Sequence, residues 1–177
     1  SSFVIMAQTM EPDNFKKIIL VNPSDINIIK EMPTKETKAA KTILEIPILG
    51  TFIYNLIMHH KRIRNYIESK YFFKKTFLSS KLEDTYFESA HKGNSAGKYL
   101  LASTKGNYVN IDITNAVKKA DNLYIISSRE RNNAVAITEK YLHLNKNIET
   151  TYISNSRYLP QLETPDKFKD IVLMFLQ

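Results

Sequence analysis

Residues 148–176, IETTYISNSRYLPQLETPDKFKDIVLMFL, contain the signals of a strand, a loop and a helix in that order. The β-branched and aromatic residues at 150–153 favour a buried strand, and Asn155 and Ser156 end the run. Pro165 suits the first turn of a helix. That helix has an apolar face at helical spacing, formed by Phe168, Ile171, Val172 and Phe175. The chain therefore closes with a strand followed by an amphipathic helix.

Two earlier segments also read as buried strands. Lys17–Val21 and Leu123–Ser127 are short continuous apolar runs, as expected for parallel strands covered on both faces. A helical pattern at Ala134–Leu144 separates the second strand from the last. This alternation predicts an α/β fold with a parallel sheet of about three strands.

The closing stretch resembles the end of the α/β-hydrolase family, where the last strand is followed by a pattern like N-x-G-H-x-P-x-x-E-x-P-x-x-F. The positions that fit are Asn155, Leu159, Pro160, Gln161, Leu162, Glu163, Pro165 and Phe168. The resemblance implies that the His of this pattern is the general base of a Ser-His-acid triad. Tyr158 occupies that His position, and Arg157 occupies the position of the preceding Gly.

The first residues resemble the helix that follows the nucleophile elbow, G-x-S-x-G, in the same family. Ser1 would then stand at the last Gly, and the nucleophile position would lie two residues before the chain. Neither Ser1 nor Ser2 has the Gly-x-Ser context of a nucleophile. An ordinary buried helix over Ser1–Thr9 is the alternative. The resemblance implies the C-terminal part of the fold, from this helix onward.

The resemblance also places the acid of the triad after the second strand, at the end of a G-x-x-D pattern. The matching segment here is residues 128–131, Ser-Arg-Glu-Arg. The Asp position falls on Arg131, so Glu130 could serve as the acid after a shift of one residue. The alternative is that Glu130 pairs with a neighbouring arginine.

Residues 31–107 show helical periodicity and no convincing strand. We expect helices at Thr34–Ile46 with Thr34 as N-cap, within Gly50–Phe72, at Ser80–Ala90 and at Ser95–Ser103. Apolar residues in the second segment can share one helical stripe, namely Phe52, Leu56, Ile63, Tyr66 and Ile67. The predicted organisation is a core of residues 1–30 and 106–177 with a helical cap of residues 31–105.

The cap resemblance rests on a P-x-x-G-T-x-x-Y-x-L beginning, matched by Pro47, Gly50, Thr51, Tyr54 and Leu56. Caps of this family cover the pocket and shape it for apolar groups. The resemblance therefore implies an apolar acyl-type ligand under the cap, with Phe52, Tyr54 and Leu56 as the candidate ligand-binding residues.

The net charge of +7 includes one dense basic run, formed by Lys61, Arg62, Arg64, Lys70, Lys74 and Lys75. Interleaved aromatic residues would suit a membrane surface or nucleic acid. The basic and apolar residues nevertheless divide by helical spacing, which favours a solvated helix face. We therefore expect no nucleic-acid partner, and membrane contact is the less favoured alternative.

The apolar edge of the first strand needs a cover. We expect either the N-terminal segment or a second chain in a homo-oligomer to provide it.

Composition excludes several kinds of site. The chain has no cysteine, so it has no disulfide, thiolate metal site or Cys nucleophile. No metal-ligand motif occurs, and four glycines cannot form a phosphate-binding loop, so we expect no metal and no cofactor. Without a secretory signal or an apolar run of about 20 residues, the predicted location is cytoplasmic, and the Asn, Ile and Lys content indicates an AT-rich bacterial genome.

These features predict an α/β-hydrolase-like protein without hydrolytic activity of its own. Free tyrosine has a pKa of about 10 and free histidine about 6.5, so a phenol is a poor base at neutral pH. Two alternatives remain open. The full-length protein could be an active esterase- or lipase-like hydrolase, or the chain could be a non-catalytic interaction protein that uses the basic cap helix.

Overall fold

The computed structural model describes residues 2–74 and 78–177. Its strands are β1 (Ile18–Val21), β2 (Leu123–Ser128) and β3 (Glu149–Ile153). A 3-10 turn covers Pro12–Asn14. The helices of the described residues are, in chain order, α1 (Ser2–Met10), α2 (Ile26–Ile29), α3 (Lys35–Glu45), α4 (Pro47–Ile57), α5 (His60–Lys70), α6 (Ser80–Ser95), α7 (Gly97–Lys105), α8 (Thr114–Lys119), α9 (Ala134–Leu144), α10 (Pro160–Glu163) and α11 (Pro165–Leu176).

The chain divides into two compact units. Unit 1 comprises Ser1–Lys30, Tyr71–Phe73 and Ile111–Gln177, and unit 2 comprises Glu31–Lys70 and Lys74–Asn110. Residues 71–73 lie inside the range predicted as cap, yet they belong to unit 1. The reason is backbone pairing, because the N–H of Tyr158 donates to the carbonyl of Tyr71 at 3.1 Å.

The sheet of unit 1 is parallel, with the strand order β1-β2-β3. Ile18 is in register with Leu123, and Ile125 with Thr150. All six residues of β2 are buried, because this central strand is covered on both faces. That burial explains its continuous apolar sequence. The predicted three-stranded parallel sheet is confirmed.

Two apolar cores cover the two faces of this sheet. Leu20 and Ile125 share the first core with residues of α1, α2, α8 and α9. Tyr124, Ile126 and Ile153 form the second core. Against them packs the predicted apolar face of α11, namely Phe168, Ile171, Val172 and Phe175. The alternation of side chains along each strand thus separates the two layers of helices.

In unit 2, Thr34 caps α3 as predicted and forms a capping box with Thr37. Pro47 ends that helix and starts α4 at once. The corner is tight, because a Cβ on Gly50 would lie 1.9 Å from the carbonyl oxygen of Leu44. Glycine is the one residue that fits this approach.

The predicted apolar stripe of Gly50–Phe72 is wrong at three of its five residues. The segment forms two helices, and the break at residues 58–59 changes the phase of the buried face. Phe52 and Leu56 are 61% and 49% exposed, whereas Tyr54 is buried at 2%. In α5, Ile63 and Ile67 are buried as predicted, whereas Tyr66, the third predicted member in this helix, is 51% exposed.

The basic run divides as its spacing predicts. Around the buried Ile63 and Ile67, the exposed members are Lys61, Arg62, Arg64, Lys70 and Lys74; Lys75 lies outside the described residues. In the described part of the chain, no single helix is long and apolar enough to cross a membrane. Helices α3 and α4 reach that length and composition together, with a bend of 98° between them.

Candidate functional site at the carboxyl ends of the strands

The three parallel strands of unit 1 end at the same edge of the sheet. β1 is followed by Asn22, β2 ends at Ser128, and β3 leads into the loop of residues 154–159. In open α/β sheets ligands bind outside the carboxyl ends of the strands. This edge is therefore the candidate position of a functional site.

Asn22, Ser128 and Ser156, which we call the strand-end cluster, connect the three strand ends. The Asn22 Oδ1 accepts the backbone N–H of Ser128 at 2.8 Å, and its Nδ2 donates to the Ser128 Oγ at 3.0 Å. The Ser128 and Ser156 hydroxyls are 2.7 Å apart and fully buried. Asn22 adopts φ 48°, a left-handed conformation that asparagine tolerates. These hydrogen bonds hold the cluster in a fixed arrangement, so its serine hydroxyls are not free to react.

Tyr158 lies beside this cluster, at the predicted end of the last strand. Its carbonyl accepts a hydrogen bond from the Asn22 Nδ2 at 3.1 Å. Its half-buried ring lies 5.7 Å from the ring of Tyr71, centroid to centroid, and 5.1 Å from the guanidinium carbon of Arg131. Both the N–H and the carbonyl of Tyr158 are thus hydrogen-bonded, to Tyr71 and Asn22 respectively. Its ring faces the cation of Arg131.

Two carboxylates at this edge bind main-chain N–H groups. The Glu130 Oε1 accepts from Asn155 at 2.9 Å and its Oε2 from Ser156 at 3.2 Å. Glu130, the candidate acid, therefore orders the loop that precedes Tyr158, with contacts to backbone amides rather than to an arginine.

Glu163 was part of the matched sequence pattern, but sequence reasoning gave it no role. It is buried, and its two oxygens accept the N–H groups of Phe73 at 2.5 Å and Arg157 at 2.8 Å. It therefore fixes the backbone of Arg157, the residue immediately before Tyr158. The glutamate of the matched pattern was the signal in the sequence that could have indicated this role.

Arg131 is the second residue that sequence reasoning left without a role. It follows β2, is 7% exposed, and has its Nε and Nη1 buried without a hydrogen-bond partner. Its position at the expected Asp of the pattern was visible in the sequence. The burial of its charge was not, because that depends on the loop after β3 and on Tyr158.

The histidine of unit 1 lies away from this edge. His143 is the one histidine in the sequence of unit 1, and it occupies the last turn of α9. Because α9 leads from the carboxyl end of β2 to the amino end of β3, His143 lies at the opposite edge of the sheet. In unit 2, His60 contacts Glu83 at 2.8 Å and Asp84 at 3.3 Å. The imidazole of His91 contacts the carbonyl of Phe87 at 2.9 Å.

The three candidate ligand-binding residues of unit 2 differ in their surroundings. Tyr54 is internal, and its hydroxyl donates to the carbonyl of Ala90 at 2.7 Å. Burial raises the pKa of Tyr54, so the phenol remains protonated. Phe52 and Leu56 present exposed apolar side chains on the same helix.

Charges near the start of α2 are also arranged around the strand ends. Burial of Asp25 favours the protonated acid, but hydrogen bonds from Lys140 and from the N–H of Asn27 outweigh it and lower the pKa. Lys140 Nζ lies 2.6 Å from the Asp25 Oδ2. The Arg131 charge adds to the lowering, which places that guanidinium within electrostatic range of Asp25.

The sequence matches no protein-family model and no curated protein. Among solved structures it is similar to an α/β-hydrolase enzyme from a Medee basin deep-sea metagenome library, with 15% identity and a TM-score of 0.63. The match covers 99% of this chain and 61% of that chain.

Two further enzymes are similar at 13% identity. They are the meta-cleavage product hydrolase CumD from Pseudomonas fluorescens IP01, with TM-score 0.66, and the 2-hydroxy-6-oxo-6-phenylhexa-2,4-dienoate hydrolase from Rhodococcus sp. strain RHA1, with TM-score 0.67. Each match covers 99% of this chain and 60% of the other. The chain thus has the fold of the C-terminal part of an α/β-hydrolase and spans about 60% of the length of these enzymes.

Proposed function

We propose that this chain is a ligand-binding protein on the α/β-hydrolase fold and that its own residues do not hydrolyse esters. The observation that carries this proposal is the environment of Tyr158. The residue stands at the strand end where the resemblance places an imidazole base, and its ring faces the Arg131 guanidinium at 5.1 Å. The aromatic face of Tyr158 therefore supports a cation in this arrangement.

The carboxylates of the same edge support the proposal. A general base in acyl transfer needs a carboxylate that orients it and stabilises its charged form. Glu130 and Glu163 instead accept two backbone N–H groups each. Neither carboxylate is hydrogen-bonded to Tyr158, so the described contacts connect no acid to the candidate base.

The proposed ligand is a small molecule with an apolar acyl-type chain. The strand ends of unit 1 are the edge where open α/β sheets bind ligands. Among the similar structures, the Rhodococcus enzyme is a hydrolase of a phenyl-substituted dienoate.

The test is an assay of the chain on short p-nitrophenyl esters, together with Tyr158→Phe and the control Tyr152→Phe, which changes a phenol on β3. We expect the same release of nitrophenol from all three proteins as from an unrelated protein at equal concentration. Turnover that Tyr158→Phe abolishes and Tyr152→Phe leaves intact would overturn the proposal and establish the active-hydrolase alternative.

A thermal-shift assay tests the ligand. We expect octanamide, which is neutral and carries an apolar chain, to raise the melting temperature in a saturable way, because a ligand that binds the folded state stabilises it. Absence of any shift with octanamide and with octanoate would refute the ligand-binding half of the proposal.

A further inference from the structure

Arg131 carries a buried charge that no described side chain pairs with. It is 7% exposed, and its Nε and Nη1 lie buried with no hydrogen-bond partner. Buried charged groups are normally paired, because removing a charge from water is costly. A buried donor without a protein partner therefore needs another explanation, such as a bound ion or water.

Two carboxylates related to Arg131, one by electrostatic interaction and one by sequence, are engaged elsewhere. Asp25 forms its ion pair with Lys140 at 2.6 Å and accepts the N–H of Asn27 at 2.9 Å. Glu130, the neighbour of Arg131 in the chain, binds the amides of Asn155 and Ser156. Arg131 therefore interacts electrostatically with Asp25, but no direct contact with a described carboxylate neutralises its charge.

The contact with Tyr158 leaves the in-plane donors of the guanidinium unused. The Tyr158 ring lies 5.1 Å from the guanidinium carbon, an arrangement that supports the cation through the aromatic system without satisfying any N–H group. The planar donors of arginine match the oxygens of carboxylate and phosphate groups. Each of the unsatisfied Nε–H and Nη1–H groups can therefore donate a hydrogen bond to an oxyanion.

We propose that Arg131 binds the carboxylate headgroup of an acyl-type ligand at the carboxyl ends of the strands. The inference rests on the proposed function and names the charged end of its ligand. At this position the resemblance places a carboxylate residue of the protein. Here the sign of the charge is reversed, so the site attracts a carboxylate from outside instead of supplying one.

Tyr158 and the apolar chain of the ligand complete the assignment. The Tyr158 ring is half-buried above Arg131, so it shields the ion pair from water and strengthens it. Apolar groups attached to the carboxylate can contact the same ring. Tyr158 then lines the binding site with its ring and does not act as a base.

The experiment compares octanoate with octanamide, two ligands of nearly equal shape that differ in charge, by calorimetry below the micellar range. For the wild-type chain we expect octanoate to bind about tenfold more tightly than octanamide, since a hydrogen bond to a charged group is worth more than a neutral one. Arg131→Gln should abolish this preference, and Arg131→Lys should retain only part of it.

Arg129→Gln is the matched control, because Arg129 lies in the same turn, is exposed, and contacts the ring of Tyr152 at 5.9 Å. It should leave the preference for octanoate unchanged. Should Arg131→Gln fail to fold, the wild-type ligand pair and Arg131→Lys still decide the outcome.

Three results would overturn the inference. Equal binding of octanoate and octanamide by the wild type would refute it while leaving the proposed function intact. A preference that survives in Arg131→Gln, or inorganic phosphate that displaces octanoate as well as octanoate itself does, would refute the assignment of a carboxylate to Arg131. If neither octanoate nor octanamide binds, the proposed function fails along with it.

Discussion

The two units of this chain satisfy their buried polar groups in different ways. In unit 1 the buried Glu163 accepts two main-chain N–H groups, and Asn22 bridges the ends of the strands. In unit 2 the buried Glu83 contacts the side chains of His60 and Arg64, which lie on a neighbouring helix. Polar contacts therefore shape loops in one unit and pair helices in the other.

This difference follows from the elements that each unit contains. A parallel sheet ends in several loops whose N–H groups have no strand partner, so side chains must satisfy them. Helices satisfy their own backbone internally. Their buried polar side chains are then free to bind each other, as in the contact of Lys98 Nζ with the Thr51 Oγ1 at 2.8 Å.

The largest predicted effect is that of Glu163→Ala in unit 1. The substitution leaves two buried N–H groups without an acceptor, so we expect the free energy of unfolding to fall by about 3 kcal/mol. In unit 2, Glu83→Ala should cost only about 1 kcal/mol. Its partners His60 and Arg64 have side chains that are 40% and 51% exposed, so water can replace the lost carboxylate.

Urea unfolding followed by circular dichroism measures both costs. Glu149→Ala on β3 and Glu88→Ala on α6 are the controls, because each removes an exposed glutamate from the same unit. If Glu83→Ala proves as costly as Glu163→Ala, then the side-chain pairs of unit 2 are as essential as the backbone contacts of unit 1, and the contrast between the units fails.

The same contrast explains what could be predicted from the sequence. Continuous apolar runs predicted strands at Lys17–Val21 and Leu123–Ser127, and helical periodicity predicted the apolar face of α11. The structure confirms them, with the strands at Ile18–Val21 and Leu123–Ser128. The short helix α2 has only four residues, too few for a helical pattern to emerge. Periodicity also misplaced the buried face of α4, because the phase of that face is set by packing inside unit 2.

The candidate site was predictable in position but not in detail. The matched pattern placed Tyr158 at the end of the last strand, and its carbonyl does contact Asn22, which follows β1. No local signal indicated that Glu130 would bind Asn155 and Ser156, because these contacts join residues 25 and 26 positions apart. The unpaired Arg131 arises in the same way, from three loops that meet only in the folded chain.

A smaller effect is expected for Gly97→Ala, which tests how closely the helices of unit 2 pack. A Cβ at this position would lie 2.3 Å from the Tyr54 Oη, which itself is bonded to the carbonyl of Ala90. Since Tyr54 is buried and cannot move freely, we expect destabilisation of about 2 kcal/mol. Tyr54→Phe removes the clashing oxygen, so the double variant should recover part of this loss.

The double-mutant cycle of Gly97→Ala and Tyr54→Phe, measured by urea unfolding, gives the coupling directly. Additive costs would show that the alanine is accommodated without contact to the phenol. Such a result would mean that unit 2 packs more loosely than the distance between Gly97 and Tyr54 indicates.

The smallest effect concerns the ion pair of Asp25 and Lys140, which is the part of unit 1 that resembles unit 2. Its two side chains are 18% and 39% exposed, so water competes for both charges and Asp25→Asn should cost only about 0.5 kcal/mol near neutral pH. Because the pKa of Asp25 is lowered from 3.8 in the folded state, this contribution is fully present above that pH and is lost as the pH falls through the lowered pKa. Unfolding free energies of wild type and Asp25→Asn should therefore converge on acidification, whereas Asp13→Asn, which changes an exposed acid, should show no such trend. A gap that widens toward acid pH would mean that Asp25 is protonated more readily in the folded chain, and the pairing with Lys140 would then not be what stabilises this corner of unit 1.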